Sequence, residues 1–211
     1  MKFGMMTAAA MAAALAFTGA APARNRAQSA LEAPYVTPQA ERTLHAFARC
    51  VALESPARTR AALAVAEDSA SFANGIRDLA DWNRSCLNRG TLRANEHFFA
   101  GRMAEALLLR ALRGGDLAAR VAFDPARPPL RASNEAELMS ICIVRAAPAE
   151  VAALFGTEPA GHAEAAAMRA LYPYLGRCLR QGVEGRFNRP AIRSMLALAA
   201  YRLNENNQAA Q

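Results

Sequence analysis

Beyond Lys2 the sequence has no lysine, and its basic character rests on 24 arginines. Without that amine there is no Schiff base, no Ser-Lys nucleophile pair and no phosphate loop of the Walker type. Histidine is scarce as well: His45, His97 and His162 stand alone, none with a second histidine three or four residues away, so H-E-x-x-H and H-x-H metal patterns are excluded. His45 and His97, beside Leu44 and Phe98, read as partly exposed side chains without a special duty. Also missing are a C-x-x-C pair, a G-x-S-x-G elbow and a G-x-G-x-x-G loop. These residues name no cofactor and no metal, and no motif marks an enzyme.

What the chain does have begins at its start. Lys2 precedes an uncharged run from Gly4 to Ala23 that closes on Ala21-Pro22-Ala23, the pattern of a cleaved signal peptide over residues 1–23. The first cysteine is Cys50, so no acceptor thiol for a lipid lies next to that cut. Later apolar runs are interrupted by Arg, Asp or Glu, which predicts no transmembrane segment after cleavage. The expected location is periplasmic or secreted. The formal charge of +7 comes from arginine in an Ala-rich chain, a composition that reflects coding bias before nucleic-acid binding.

Cys50, Cys86, Cys142 and Cys178 form two pairs with equal gaps of 36, displaced from one another by 92. Laid on itself at that offset, the chain returns Pro56 as Pro148, Arg77 as Arg169, Leu79 as Leu171, Leu87 as Leu179, Gly90 as Gly182, Met103 as Met195 and Arg110 as Arg202. Conservative pairs fill the same frame, among them Val51 with Ile143 and Trp82 with Tyr174. We read an internal duplication. The expected fold is all-α: two tandem copies of a disulfide-stapled four-helix unit, packed as one or two small lobes.

In the first copy Thr37-Pro38 opens a helix that stops near Ser55, and Ser55-Pro56 opens a short second one. A third, entered through Ser69 or Ser71, sets Phe72, Ile76, Leu79, Trp82 and Cys86 on one stripe and stops at Gly90. Asn95 caps a fourth that ends at Gly114-Gly115. The second copy starts on Asn134 and Glu137, reopens at Pro148, and carries Pro173 inside its third helix, where a kink or break is expected. The organisation is then a signal peptide (1–23), an N-terminal extension (24–36), repeat 1 (37–113), a Pro-rich linker (114–133), repeat 2 (134–203) and a flexible Asn/Gln-rich tail (204–211).

Four cysteines allow three pairings, and the duplication favours Cys50 with Cys86 and Cys142 with Cys178, since a unit that folded before duplication satisfied its own thiols. Asp78 and Asp81 lie three apart on the third helix, but Arg77 and Arg84 beside them read as helical ion pairing on a solvated face. The charge feature with the clearest functional meaning is the run Arg177, Arg180, Arg186, Arg189 and Arg193, a candidate anion-binding surface. Its ordinary alternative is a solvated face.

The frame of Cys50-Val51 and Cys142-Ile143, proline six residues later, Cys-Leu-x-x-Gly and a closing helix ending in Arg110 or Tyr201-Arg202 resembles small exported Ala- and Arg-rich proteins of alphaproteobacteria. The resemblance implies an envelope location and a helical repeat, and carries no catalytic or binding residue with it. The expected function is an exported, non-catalytic binding or scaffold module whose partner is an envelope protein or an anionic polymer or lipid. The alternative is an envelope hydrolase whose carboxylates converge from both repeats.

Overall fold

In the computed structural model, which describes residues 37–87, 90–126, 128–181 and 188–208, every regular element among the described residues is helical. The expected signal peptide, the N-terminal extension, Gly182 and Arg186 lie outside the described residues. Helix α1 spans Pro38–Glu54, and the Thr37 hydroxyl accepts the Ala40 N–H at 3.2 Å, satisfying one of the amides that a helix start leaves over. Short α2 follows at Pro56–Leu63 and α3 at Ala70–Trp82, capped by Ser69 on the Phe72 N–H at 3.0 Å. Helix α4 is Glu96–Leu112, capped by Asn95 on the His97 N–H at 2.8 Å. It ends where Arg113 (φ 48°) and then Gly114 (φ 83°) turn left-handed. After short α5 at Leu117–Val121 come α6 (Glu135–Ala146), α7 (Pro148–Phe155), α8 (His162–Cys178) and α9 (Arg189–Gln208).

Five local expectations are corrected. The third helix of the first half stops at Trp82, well before Gly90, and only a 3-10 turn, Arg84–Cys86, continues it. The cause is Asn83: its side-chain amide donates to the Leu79 carbonyl at 2.8 Å, taking the acceptor the next helical N–H would use, while Ser55 Oγ donates to its Oδ1 at 2.9 Å. Phe72, Ile76 and Leu79 are buried as the stripe requires, but Trp82 is 61% exposed under the Arg58 guanidinium. Conversely, α8 runs through Pro173 unbroken. Pro173 is exposed, and so is Arg169, whose carbonyl loses its helical donor there.

The segment read as a linker contains α5, whose Leu117 and Val121 are buried in the common core. Nor does the chain fray at 204: α9 continues to Gln208, Asn204 is fully buried, and the Asn207 amide donates to the Arg120 and Ala122 carbonyls at 2.9 and 3.0 Å. The Asn/Gln-rich end thus ties α9 to the carbonyls that α5 leaves unpaired.

The core is one continuous cluster centred on α4 and α9, which pack on each other more extensively than any other pair. Helix α1 covers α4 and α6 covers α9, and α8 lies across α6 and α7. Cys50 pairs with Cys86 and Cys142 with Cys178, with Cα separations of 5.7 and 5.6 Å, so each bridge fastens a covering helix to the chain about 36 residues on. Replacing Cys50 and Cys86 together by serine is expected to lower stability by about 3 to 4 kcal/mol, the chain-entropy value for a loop of that size. Urea denaturation measures it; an unchanged midpoint would show that the reduced ensemble is already held together by other contacts.

Candidate functional site

Where the end of α2, the segment before α6 and the last turns of α9 meet, they leave a groove of about 580 Å³. One wall is Arg60 to Ala66, another is Leu130, Arg131 and Ser133, and Tyr201, Arg202, Glu205 and Asn206 contribute from α9. Arg202 organises this place. Its Nε donates to the Leu63 carbonyl at 3.1 Å and its Nη2 to the Val65 carbonyl, so the guanidinium closes the C-terminal end of α2. Its Nη1 reaches Glu137 at 2.6 Å and Glu67 at 3.2 Å, linking α6 and the turn after α2 to α9.

The two carboxylates it joins are saturated by the protein. The second oxygen of Glu137 accepts both the Ser133 N–H at 2.7 Å and the Ser133 hydroxyl at 2.9 Å, while the Asn134 side chain accepts the Glu137 N–H at 2.9 Å. This is the expected start of the second half, with the return contact made to Ser133. Glu67 also bonds the Asn134 side chain. Its carbonyl receives a 3.2 Å contact from His97 Nε2, and since a carbonyl only accepts, that nitrogen carries the proton.

Burial drives the Glu67 carboxyl up to about 7; Arg202 opposes this, and neighbouring Glu137 and Asp68 reinforce it. The ion pair and the raised value are compatible because Glu137, closer by 0.6 Å, takes the larger share of Arg202. A folded-state value above the ordinary 4.5 stabilises the protein fully below pH 4.5, and that stability is lost as pH rises through 7. The loss is about 3 kcal/mol at 1.36 kcal/mol per pH unit. Glu67→Gln is therefore expected to flatten the stability profile between pH 4.5 and 7 and to raise stability at pH 8. Thermal melts across that range measure it, and a variant with the wild-type slope would assign the titration elsewhere.

A second polar cluster lies where α4 and α9 cross. Glu41, Arg102, Glu105, Arg193 and Glu164 are each no more than 5% exposed and form an alternating chain of charge. Arg102 reaches Glu41 at 2.6 Å and Glu105 at 3.4 Å. Arg193 grips both oxygens of Glu105 at 2.6 and 3.0 Å, Glu164 at 3.0 Å, and the Thr157 hydroxyl and carbonyl at 3.1 and 2.9 Å. Glu164 accepts the N–H of Ala160, a residue at φ 60°. Burial pushes the Glu41 carboxyl upward against the pull of Arg102.

The arginine run is therefore divided. Arg177, Arg180 and Arg189 are exposed, and Arg180 pairs with Glu135 at 3.0 Å, while Arg186 lies outside the described residues. Arg193 does not belong to that surface: it is fully buried, every outward direction of its guanidinium being filled by Glu105, Glu164 and Thr157. Asp81 pairs with Arg84 at 2.7 Å on an exposed face, as helical spacing suggested, and Arg77 pairs with Glu96 at 2.9 Å. Among the described residues no group of three or more His, Cys, Asp or Glu side chains is arranged to hold a metal ion.

Glu41, Glu67 and Glu164 had no role in the sequence reading, which placed Glu137 only at a helix start and Arg202 only as the return of Arg110; the ion-pair networks they form were not anticipated. A signal for part of this was present. From Phe98 to Leu109 and from Ala191 to Tyr201 apolar residues occupy every side of the helix, so the few charges within those stretches have no solvated face to occupy. Comparison with protein-family models, with curated proteins and with solved structures gives no match.

Proposed function

We propose that this protein is an exported, non-catalytic binding or scaffold module of the periplasm or extracellular space, built from two tandem copies of a disulfide-stapled helical unit. The observation that carries the reading is the groove at the seam of the two halves. Its walls come from residues 60–66 and 130–133 and its α9 side from the end of the chain, so it exists only when both halves are docked. Grooves between stacked helical units commonly take peptides or other proteins. Two disulfides are consistent with an oxidising compartment.

The hydrolase alternative needs carboxylates turned toward a substrate. Here Glu67 and Glu137 converge, as do Glu105 and Glu164, but each pair is held by an arginine in a structural geometry. Affinity capture from envelope extract, with the oxidised protein as bait, tests the proposal. It is expected to enrich a partner protein, polymer or lipid reproducibly and in proportion to its abundance. Repeated recovery of nothing, from soluble and membrane fractions alike, would remove the reading.

A further inference from the structure

We infer that the groove takes an acidic peptide segment, its carboxylates engaging Arg60 and Arg131 and an apolar side chain resting on Val65 and Leu130. This rests on the binding-module reading and specifies the partner's chemistry. The first argument is charge that is left over. Arg202 is committed to Glu67, Glu137 and two carbonyls, and both oxygens of Glu137 are occupied. Glu205 accepts the Asn204 side-chain amide at 3.3 Å and the Tyr201 hydroxyl, whose pKa burial and Glu205 together raise so that it stays a donor. Arg60 and Arg131 remain: both are exposed, on different walls, and neither makes an ion pair among the described residues. Taken as full charges, the lining sets Arg60, Arg131 and Arg202 against Glu137 and Glu205, a net positive charge whose two exposed cations, unpaired among the described residues, favour a partner bearing carboxylates and disfavour a basic one.

The second argument is shape. About 580 Å³ lies in the range of ordinary ligand clefts, and Val65 and Leu130 are half-buried apolar side chains that share the lining with the two cations. A peptide whose carboxylates flank an apolar side chain can use both kinds of lining at once. A polyanion without apolar groups leaves Val65 and Leu130 uncovered, and a lipid concentrates its charge at one end.

The test uses a fluorescein-labelled Glu-rich decapeptide with a central leucine, titrated with the oxidised protein and followed by anisotropy. A Lys-rich decapeptide and phosphatidylglycerol vesicles serve as competitors. Saturable binding that weakens steeply with salt is expected, with neither competitor displacing the peptide. R60Q/R131Q is expected to weaken it at least about ten-fold, the loss of charge-assisted hydrogen bonds. Ala64→Glu, which places a carboxylate on an exposed groove position, is expected to do the same by repulsion, and thermal melts of both variants to match wild type. R177Q/R189Q, on the exposed arginine run, is expected to change affinity less than two-fold.

Absence of saturable binding, binding indifferent to R60Q/R131Q or to Ala64→Glu, equal sensitivity to R177Q/R189Q, or displacement by vesicles would each overturn the assignment. A partner captured from extract whose binding survives both groove variants would leave the binding-module reading standing and remove only this inference.

Discussion

Gly101→Ala is expected to destabilise the protein by about 4 kcal/mol or more, at the severe end of single-residue effects. At this position α4 and α9 approach so closely that a Cβ would fall against the Ser194 carbonyl oxygen and 2.5 Å from both its Cα and its Cβ. Two of those three neighbours are backbone, and both helices are enclosed by core, so neither can move away without opening the packing that unites the halves. Ser194→Gly in the same chain is expected to rescue little, because it removes only one of the three contacts. Urea denaturation of the single and double variants measures this. A mild effect of Gly101→Ala, or full rescue by Ser194→Gly, would mean that the two helices separate at low cost and that their contact is not the fold's centre.

Loss of Arg193 is expected to cost about 5 kcal/mol, the upper end for breaking a buried ion pair, since Glu164 is left without its cation and Glu105 keeps only the 3.4 Å contact to Arg102. Arg193→Met keeps the volume and removes the charge; Arg193→Lys keeps the charge but cannot hold Glu105 through two nitrogens while reaching Glu164 and Thr157. Both variants should be severely destabilised, methionine the more so. Arg189→Gln, on an exposed side chain one turn earlier, should stay within about 0.5 kcal/mol of wild type. Denaturation midpoints of the three variants decide the matter. Equal, small effects at 189 and 193 would place Arg193 on the solvated face with Arg177, Arg180 and Arg189.

The contrast between these two arginines shows why the site was less legible than the fold. Helix starts were readable because capping is local chemistry: Thr37, Ser69, Asn95 and Asn134 each cap a nearby N–H as their positions suggested. Helix ends were less so. Asn83 ends α3 early through a side-chain bond to Leu79, aided by Ser55 from 28 residues away, while Pro173 leaves α8 intact because it sits on the solvated side. The Arg102 and Glu105 pair, three apart, has the spacing of an ordinary surface ion pair. Its burial follows from Glu41 and Arg193 arriving from other helices.

By itself, then, the sequence determined the all-helical class, the starts of α1, α2, α3, α4, α6 and α7, the buried stripe of Phe72, Ile76 and Leu79 and the two 36-residue cysteine pairings, since each depends on periodicity, a cap or an even count read within one segment. Only the tertiary structure decided which charges are buried, that α5 and the Asn-rich end of α9 join the core, and where a groove remains open. Those outcomes depend on how α4 and α9 meet at Gly101 and Ser194, and on which side chains that meeting encloses. The ion-pair partners 61 and 88 residues apart at Arg102 and Arg193 have no local pattern to announce them.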